Sequence, residues 1–190
     1  MQVFFVNSAI QRQIMMRNKV KGLLMCYTGN GKGKTTAALG SMMRAHGRGL
    51  KVIMLQFIKK KGAEFGEHIA AKELGIEIIP LGAGFTWDSR NLEEDRRLAL
   101  EGWEVCKGKI LNSDYDIVVL DEITYPIKYG WLSVDEVLGV IQRRPEWMHV
   151  IITGRDAHEK LIEASDLVTE MVEVKHHLNN GIRQQVGIER

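Results

Sequence analysis

The stretch MCYTGNGKGKTTAALG, residues 25–40, decides the fold because a glycine-rich turn joins an apolar run to a helix-forming run. Gly33, Lys34 and Thr35 supply the last three positions of G-x-x-x-x-G-K-[ST], the phosphate-loop pattern. Thr28 stands at the first position, where glycine is usual. We predict a strand, a phosphate-binding loop and a helix here. A glycine-rich surface loop without a ligand is the alternative.

The residues of this loop suit a magnesium nucleotide. Gly29, Gly31 and Gly33 allow positive φ angles and let backbone N–H groups approach phosphate oxygens. Lys34 would bring a positive charge to the phosphates, and Thr35 would offer its hydroxyl to Mg²⁺. The following helix would direct the positive end of its dipole at the anion.

Beyond the loop, short apolar runs alternate with helical patterns, which is typical of stacked β-α units. We therefore predict an α/β chain with the three-layer fold of P-loop nucleotide hydrolases and a mainly parallel sheet. The predicted strands are 23–27, 51–57, 76–81, 116–120, 149–153 and 167–174. Capping-box spacing predicts helix starts at three pairs: Asn91 with Glu94, Ser133 with Glu136, and Asp156 with Glu159.

No repeat or linker divides the sequence, so residues 22–190 are predicted to form a single domain. Apolar residues at helical spacing predict an amphipathic segment over residues 1–21. This segment is either a frayed terminus or an element that folds over a ligand or a partner subunit.

Composition excludes several classes of function. The 190 residues carry 26 basic and 24 acidic side chains, a net charge of +2, which gives no general reason to expect nucleic acid. Without a signal peptide or an apolar run near the ~20 residues that span a bilayer, we predict a cytoplasmic protein with no membrane partner. Cys26 and Cys106 are far apart, so we expect reduced thiols and no cysteine metal site.

Asp121 and Glu122 follow the apolar strand 116–120 in DIVVLDEITY. Carboxylates at that position could hold Mg²⁺ directly or through water, or they could be solvated turn residues. Arg155 follows the strand 149–153, where it would contact a ligand or form a structural ion pair. These elements alone suit ATPases, GTPases, kinases and switches, although an N-K-x-D motif for GTPases and paired cysteines for a thymidine-kinase-like zinc site are missing.

Two aromatic residues, Phe85 and Trp87, follow the strand 76–81 in LGAGFTW. Loops at this edge of an open α/β sheet often bind ligands. From the residues alone, packing in the core or at an interface is slightly favoured over ligand contact as the role of these two side chains.

Several segments stand in order along the chain: TGNGKGKTTAALG, QFIK, GFTW, VVLDEITY, IITGR, and VKH followed by GI and Q-x-GIE. Together they resemble the ATP:corrinoid adenosyltransferases, often called cob(I)alamin adenosyltransferases. The resemblance runs in order from Gly22 to Glu189. It implies that a Co(I) corrinoid attacks C5′ of ATP and releases the whole triphosphate, in cobalamin biosynthesis or salvage. The tail departs from the family at Gln184 and Arg190, where a small residue and an aromatic residue are usual.

The resemblance also implies roles for individual residues. Lys34 and Glu122 would be catalytic, Thr35, Glu122 and Asp121 would hold Mg²⁺, and Phe85 and Trp87 would cover the lower corrin face and keep cobalt four-coordinate. The predicted ATP-binding residues are Thr28, Gly29, Asn30, Gly31, Lys32, Gly33, Lys34, Thr35, Thr36 and Arg155. The implied partners are ATP, a corrinoid (cobalamin, cobinamide or a precursor), an electron donor such as a reduced flavoprotein, and a second copy of the chain in a homodimer.

Overall fold

A computed structural model describes residues 21–62, 64–84, 92–112 and 114–189 of the chain. Within these ranges, six parallel strands form one sheet in the order β3-β2-β4-β5-β1-β6. The strands are β1 (Leu24–Thr28), β2 (Val52–Lys60), β3 (Glu77–Gly82), β4 (Ile117–Asp121), β5 (His149–Thr153) and β6 (Leu167–Glu170).

Helices join the strands and cover both faces of the sheet. They are α1 (Lys34–His46), α2 (Gly66–Leu74), α3 (Leu92–Leu111), α4 (Thr124–Lys128), α5 (Val134–Gln142) and α6 (Glu159–Ala164). A short 3₁₀ turn, His177–Asn180, lies in the tail. No helix within the described ranges has both the length and the apolar character needed to cross a bilayer.

The two faces of the sheet form separate apolar cores, because the central strands are apolar on both sides. On one face, Ala38 and Met42 of α1 pack against Met54, Val119 and Ile151. On the other face, a core formed by strands, α3 and α5 includes the buried side chains of Trp103, Ile110, Val137 and Ile141. The predicted three-layer α/β fold with a parallel sheet is therefore confirmed.

The strand order determines which loops meet. β5 lies between β1 and β4, and all three strands run in the same direction. The loop after β1 and the acidic residues at the end of β4 consequently emerge at one edge of the sheet, on either side of Thr153 at the end of β5. Ligands bind at this carboxyl edge in open α/β sheets.

All six predicted strands are present, but some boundaries differ. β2 continues to Lys60, three residues beyond the prediction, and β6 ends at Glu170, four residues before it. After Glu170 the chain stops pairing as a strand and packs on the loop that follows β1, since Met171 N–H donates to Thr28 O at 2.8 Å and Met171 O accepts from Gly31 N–H.

One of the predicted helix starts is wrong. α6 begins at Glu159 and its N-cap is His158, whose ring accepts from Lys160 N–H, whereas Asp156 has a left-handed φ of 51°. Ser133 is the N-cap of α5, although its side chain makes no capping hydrogen bond. Asn91 and residues 1–20 of the predicted amphipathic segment lie outside the described residues.

Candidate nucleotide and magnesium site

The glycines of the phosphate loop make room for backbone as well as for a ligand. Gly31 N–H donates to Met171 O at 2.6 Å, and a Cβ on Gly31 would lie 2.7 Å from Val172 O. A Cβ on Gly29 would lie 2.5 Å from Met171 O, and the φ of Gly29 is +93°. Gly33, with φ +110°, turns the chain into α1. Residues 171–172, which follow β6, therefore pack directly against the phosphate loop.

Substituting Gly31 with alanine is expected to lower the free energy of unfolding by about 1–3 kcal/mol, because the new Cβ would collide with backbone atoms that cannot rotate away. Urea denaturation measures the change. Gly40→Ala is the matched control: Gly40 is an exposed position of α1 with open space around it, and alanine there should stabilise by about 0.5–1 kcal/mol. Equal effects of the two substitutions would contradict the packing of the loop on residues 171–172.

Lys34 is buried at the start of α1, with a side chain that turns back into the loop. Its Nζ donates to Gly29 O and to Gly31 O, each at 2.7 Å. Burial lowers the pKa of Lys34, while the nearby charge of Glu122 opposes that shift. An ammonium group has three N–H donors, so the two carbonyls leave one to point at an anion in the loop.

Asp121, at the end of β4, is buried and accepts hydrogen bonds at both carboxylate oxygens. Its Oδ1 accepts from Thr35 Oγ1 at 2.9 Å and from Thr153 Oγ1 at 2.7 Å, and its Oδ2 accepts from Gln56 Nε2 at 3.1 Å. Burial raises the pKa of Asp121, and these three hydrogen bonds oppose the rise by stabilising the anion. The carboxylate thus joins β2, β4, β5 and the phosphate loop.

Glu122, unlike Asp121, has a buried carboxylate oxygen that accepts no hydrogen bond. Its Oε2 is sealed from solvent and has no hydrogen-bond partner. Burial raises the pKa of Glu122 to about 7, the charge of Asp121 adds to the rise, and Lys34 opposes it. The backbone of Glu122 has a left-handed φ of 61°, and its N–H donates to Thr153 Oγ1 at 2.9 Å.

A half-buried carboxylate with one sealed and unpartnered oxygen fits a hard cation. Mg²⁺ prefers oxygen ligands and is usually held by one or two carboxylates together with substrate phosphates. A cation would also remove the desolvation cost that raises the pKa of Glu122. The donor set at Thr35 and Glu122 therefore suits Mg²⁺.

The remaining predicted residues are spread around this centre. Asn30, Thr36 and Arg155 are exposed. The charge of Arg155 acts to lower the pKa of both Lys34 and Glu122. Arg155 forms no ion pair with any residue in the described part of the chain, which weakens the structural ion-pair alternative. Lys32 pairs with Glu189 of the tail at 2.5 Å. Phe85 and Trp87 lie outside the described residues.

Three residues near this centre, Gln56, Thr153 and His68, were not among the predicted site residues. Gln56 is a fully buried amide within the otherwise apolar first part of β2, and it is paired in register with Asp121 of β4. A lone polar residue in a buried strand was the signal that could have identified it. Thr153, the last residue of β5, is fully buried as well. His68 gave no such signal, because it is a half-buried residue in the first turn of α2, where polar side chains are common.

Comparisons with known proteins identify a matching family and several similar proteins. Residues 20–190 match the family described as ATP:corrinoid adenosyltransferase BtuR/CobO/CobP. The corrinoid adenosyltransferase of Escherichia coli K12 is 39% identical over 184 residues, covering 97% of this chain and 93% of that protein. The Pseudomonas aeruginosa PAO1 protein of the same name is 39% identical, covering 96% and 90% of the two chains.

Two further similarities complete the comparison. Corrinoid adenosyltransferase CobA of Salmonella typhimurium LT2 is 36% identical over 184 residues, covering 97% of this chain and 93% of that protein. Among solved structures, the RadB recombinase aligns with a TM-score of 0.46 and 19% identity, covering 83% of this chain and 77% of that one.

Proposed function

The chain belongs to the ATP:corrinoid adenosyltransferase family BtuR/CobO/CobP and is a corrinoid adenosyltransferase, and from this premise we propose how its residues carry out the reaction. The 5′-deoxyadenosyl group of ATP passes to the Co(I) centre of a reduced corrinoid. A Co–C bond forms as the C5′–O bond breaks, and the electron pair of that bond leaves with the triphosphate. The cobalt supplies the nucleophilic electron pair, so the protein needs no general base.

The phosphate loop holds the leaving group. Its backbone N–H groups, the start of α1 and the ammonium of Lys34 surround the triphosphate, with Asn30, Lys32, Thr36 and Arg155 at the rim. Negative charge grows on the triphosphate as the C5′–O bond lengthens, and a preorganised cation lowers the energy of that charge. The support for this role is the buried Lys34 ammonium, held by Gly29 and Gly31 with a donor left over.

Thr35 and Glu122 hold Mg²⁺, and Asp121 acts by fixing the hydroxyl of Thr35. The metal, when bound, neutralises charge on the triphosphate. The observation that carries this proposal is the sealed, unpartnered Oε2 of Glu122. Both oxygens of Asp121 already accept hydrogen bonds from the protein, which favours Glu122 as the carboxylate that contacts the metal.

Phe85 and Trp87 cover the lower face of the corrin with apolar surface. A donor ligand on that face stabilises the higher oxidation states of cobalt, so excluding it makes reduction to Co(I) easier. The electron comes from a reduced flavoprotein, and the corrinoid is cobalamin, cobinamide or a precursor. We also propose a homodimer of a single domain, residues 22–190, with the segment 1–21 near the corrinoid.

The substitution Trp87→Ala separates reduction from transfer. It is expected to slow adenosylation of a Co(II) corrinoid with a flavoprotein reductant by about tenfold or more, while chemically reduced Co(I) reacts almost normally. Exclusion of a donor ligand from the lower face of the corrin matters only for the reduction of Co(II) to Co(I). Anaerobic rates with the two starting materials, monitored by the corrinoid absorbance, give the comparison. Equal losses in both assays would rule out the lower-face role.

The adenosyl-transfer reaction itself is tested by its inorganic product. Attack at C5′ releases intact triphosphate, whereas an ATPase or kinase releases phosphate or ADP. Anion-exchange separation of the products, with ATP labelled in the γ-phosphate, distinguishes the two outcomes.

A further inference from the structure

A chain of hydrogen bonds connects the start of α2 with the magnesium site, and no role above accounts for it. His68, in the first turn of α2, lies 2.7 Å through its Nε2 from Gln56 Oε1. Gln56 Nε2 then donates to Asp121 Oδ2 at 3.1 Å. At the outer end, Phe65 N–H donates to His68 Nδ1 at 3.2 Å. The chain is thus continuous from the backbone at Phe65 to the carboxylate of Asp121.

The direction of every hydrogen bond in this chain is fixed by its ends. An ionised carboxylate only accepts, so Gln56 must turn its NH₂ group towards Asp121 and its oxygen towards His68. That oxygen also only accepts, so His68 Nε2 must carry a proton. His68 Nδ1 must then be the unprotonated nitrogen, as the N–H of Phe65 requires.

This arrangement determines how the hydroxyl of Thr35 points. Gln56 holds Asp121 through Oδ2, and the hydroxyls of Thr35 and Thr153 both donate to Oδ1. A hydroxyl that donates its only proton to Asp121 turns its lone pairs elsewhere. For Thr153 a lone pair accepts the N–H of Glu122, and for Thr35 the lone pairs remain for a cation.

We propose that His68 and Gln56 are positioning residues for Mg²⁺, which act through Asp121 to hold the Thr35 hydroxyl with its lone pairs towards the metal. The inference rests on the proposed role of Thr35 and Glu122 as the magnesium site. Partners behind metal ligands fix the orientation of those ligands, and their loss typically weakens metal binding about 10- to 100-fold.

The segment around His68 is anchored independently of the metal. Lys59 Nζ pairs with Glu67 Oε1 at 2.8 Å and lies 3.5 Å above the centroid of the Phe65 ring. These contacts hold the start of α2 against the end of β2. A purely structural role for His68 as the helix cap that receives Phe65 N–H is therefore the competing explanation, and the test must separate the two.

The pair His68→Asn and His68→Gln makes that separation with neutral side chains. Asparagine carries a polar atom where His68 has Nδ1, so it can cap the helix, but it is too short to reach Gln56. Glutamine reaches as far as Nε2 and can donate to Gln56 Oε1. Glutamine has no polar atom at the position of Nδ1, so a cap-only role predicts that His68→Asn binds Mn²⁺ like the wild type and that any loss of affinity appears in His68→Gln.

The measurement is binding of Mn²⁺, in place of Mg²⁺, to the full-length protein with saturating ATP and no corrinoid, followed by electron paramagnetic resonance. We expect His68→Gln to bind Mn²⁺ within about twofold of the wild type and His68→Asn to bind about tenfold more weakly. ATP binding in EDTA and the KM for corrinoid should be unchanged in both variants. Equal Mn²⁺ affinities for the two variants, whether normal or weakened, would overturn the inference.

The same titration keeps this inference apart from the proposed magnesium site. If the wild type takes up no Mn²⁺ with ATP, or if Glu122→Gln binds Mn²⁺ normally, the site at Thr35 and Glu122 is wrong. If the wild type binds Mn²⁺ and Glu122→Gln does not, while His68→Asn matches His68→Gln, the site stands and only the role of His68 fails.

Discussion

Replacing Lys34 with alanine is expected to lower kcat/KM for adenosyl transfer about 10²- to 10³-fold, the usual cost of removing one preorganised charge-stabilising donor. Lys34 Nζ is fixed by the carbonyls of Gly29 and Gly31, so its position does not depend on the nucleotide. The triphosphate gains negative charge in the transition state, and the ammonium is already in place to stabilise it. We therefore expect kcat to fall more than the affinity for ATP. Steady-state kinetics with chemically reduced Co(I) corrinoid measure both.

Two further substitutions control this experiment. Lys34→Arg keeps the charge, but a planar guanidinium cannot reproduce a compact ammonium between two carbonyls, so it should remain strongly impaired. Lys51→Ala removes an exposed lysine that pairs with Asp114 at the opposite edge of the sheet, and it should leave kcat/KM within about twofold. Near-normal kcat for Lys34→Ala would remove Lys34 from the catalytic machinery.

The substitution Glu122→Gln is expected to lower kcat/KM about a hundredfold and to make the nucleotide-free protein more stable at pH 8. The amide keeps the size of Glu122 but cannot supply a negative charge to Mg²⁺, and weaker metal binding should follow. Without ligand, the same charge is unfavourable, because the carboxylate is buried and one of its oxygens has no partner. Activity and stability should therefore change in opposite directions.

The pH dependence of that stabilisation follows from the raised pKa of Glu122. Below pH 4.5, the ordinary value, the folded and unfolded states are both protonated and ionisation of Glu122 makes no difference. Between pH 4.5 and about 7 the unfolded chain releases its proton while the folded protein keeps it, so stability falls as pH rises. The loss is on the order of 3 kcal/mol and is complete above pH 7.

Chemical denaturation of wild type and Glu122→Gln between pH 5 and pH 8 measures this effect directly. The two unfolding free energies should diverge with pH, with the variant increasingly the more stable. Glu104→Gln, at an exposed position of α3, is the control and should show no such divergence. A constant difference between wild type and Glu122→Gln across this range would contradict the raised pKa of Glu122.

The strands and the nucleotide elements could be predicted from sequence because their signals are local. Each central strand is a short apolar run, and Lys34 and Thr35 stand at fixed spacings within one turn. The end of β6 could not be predicted in this way, because it depends on Met171 leaving the sheet to pack on Thr28 and Gly31, residues about 140 positions earlier.

The division of labour between Asp121 and Glu122 also needed the structure. In sequence they are neighbouring carboxylates with the same expected role. In the fold, Asp121 points into the sheet towards Gln56 and Thr153. The positive φ of Glu122 turns the backbone away from the direction of β4, so its side chain does not follow that of Asp121. The cap of α6 was missed for a related reason, since Asp156 and His158 both suit a turn and only the path of the backbone selects His158.

The most direct test of the account is an anaerobic reaction of ATP, Mg²⁺ and chemically reduced cobalamin with the purified protein. The absorbance of Co(I) should decay, and adenosylcobalamin should form together with one triphosphate for each corrinoid consumed. Persistence of Co(I) while ADP or phosphate accumulates would contradict adenosyl transfer and assign the phosphate loop to an ATPase or kinase.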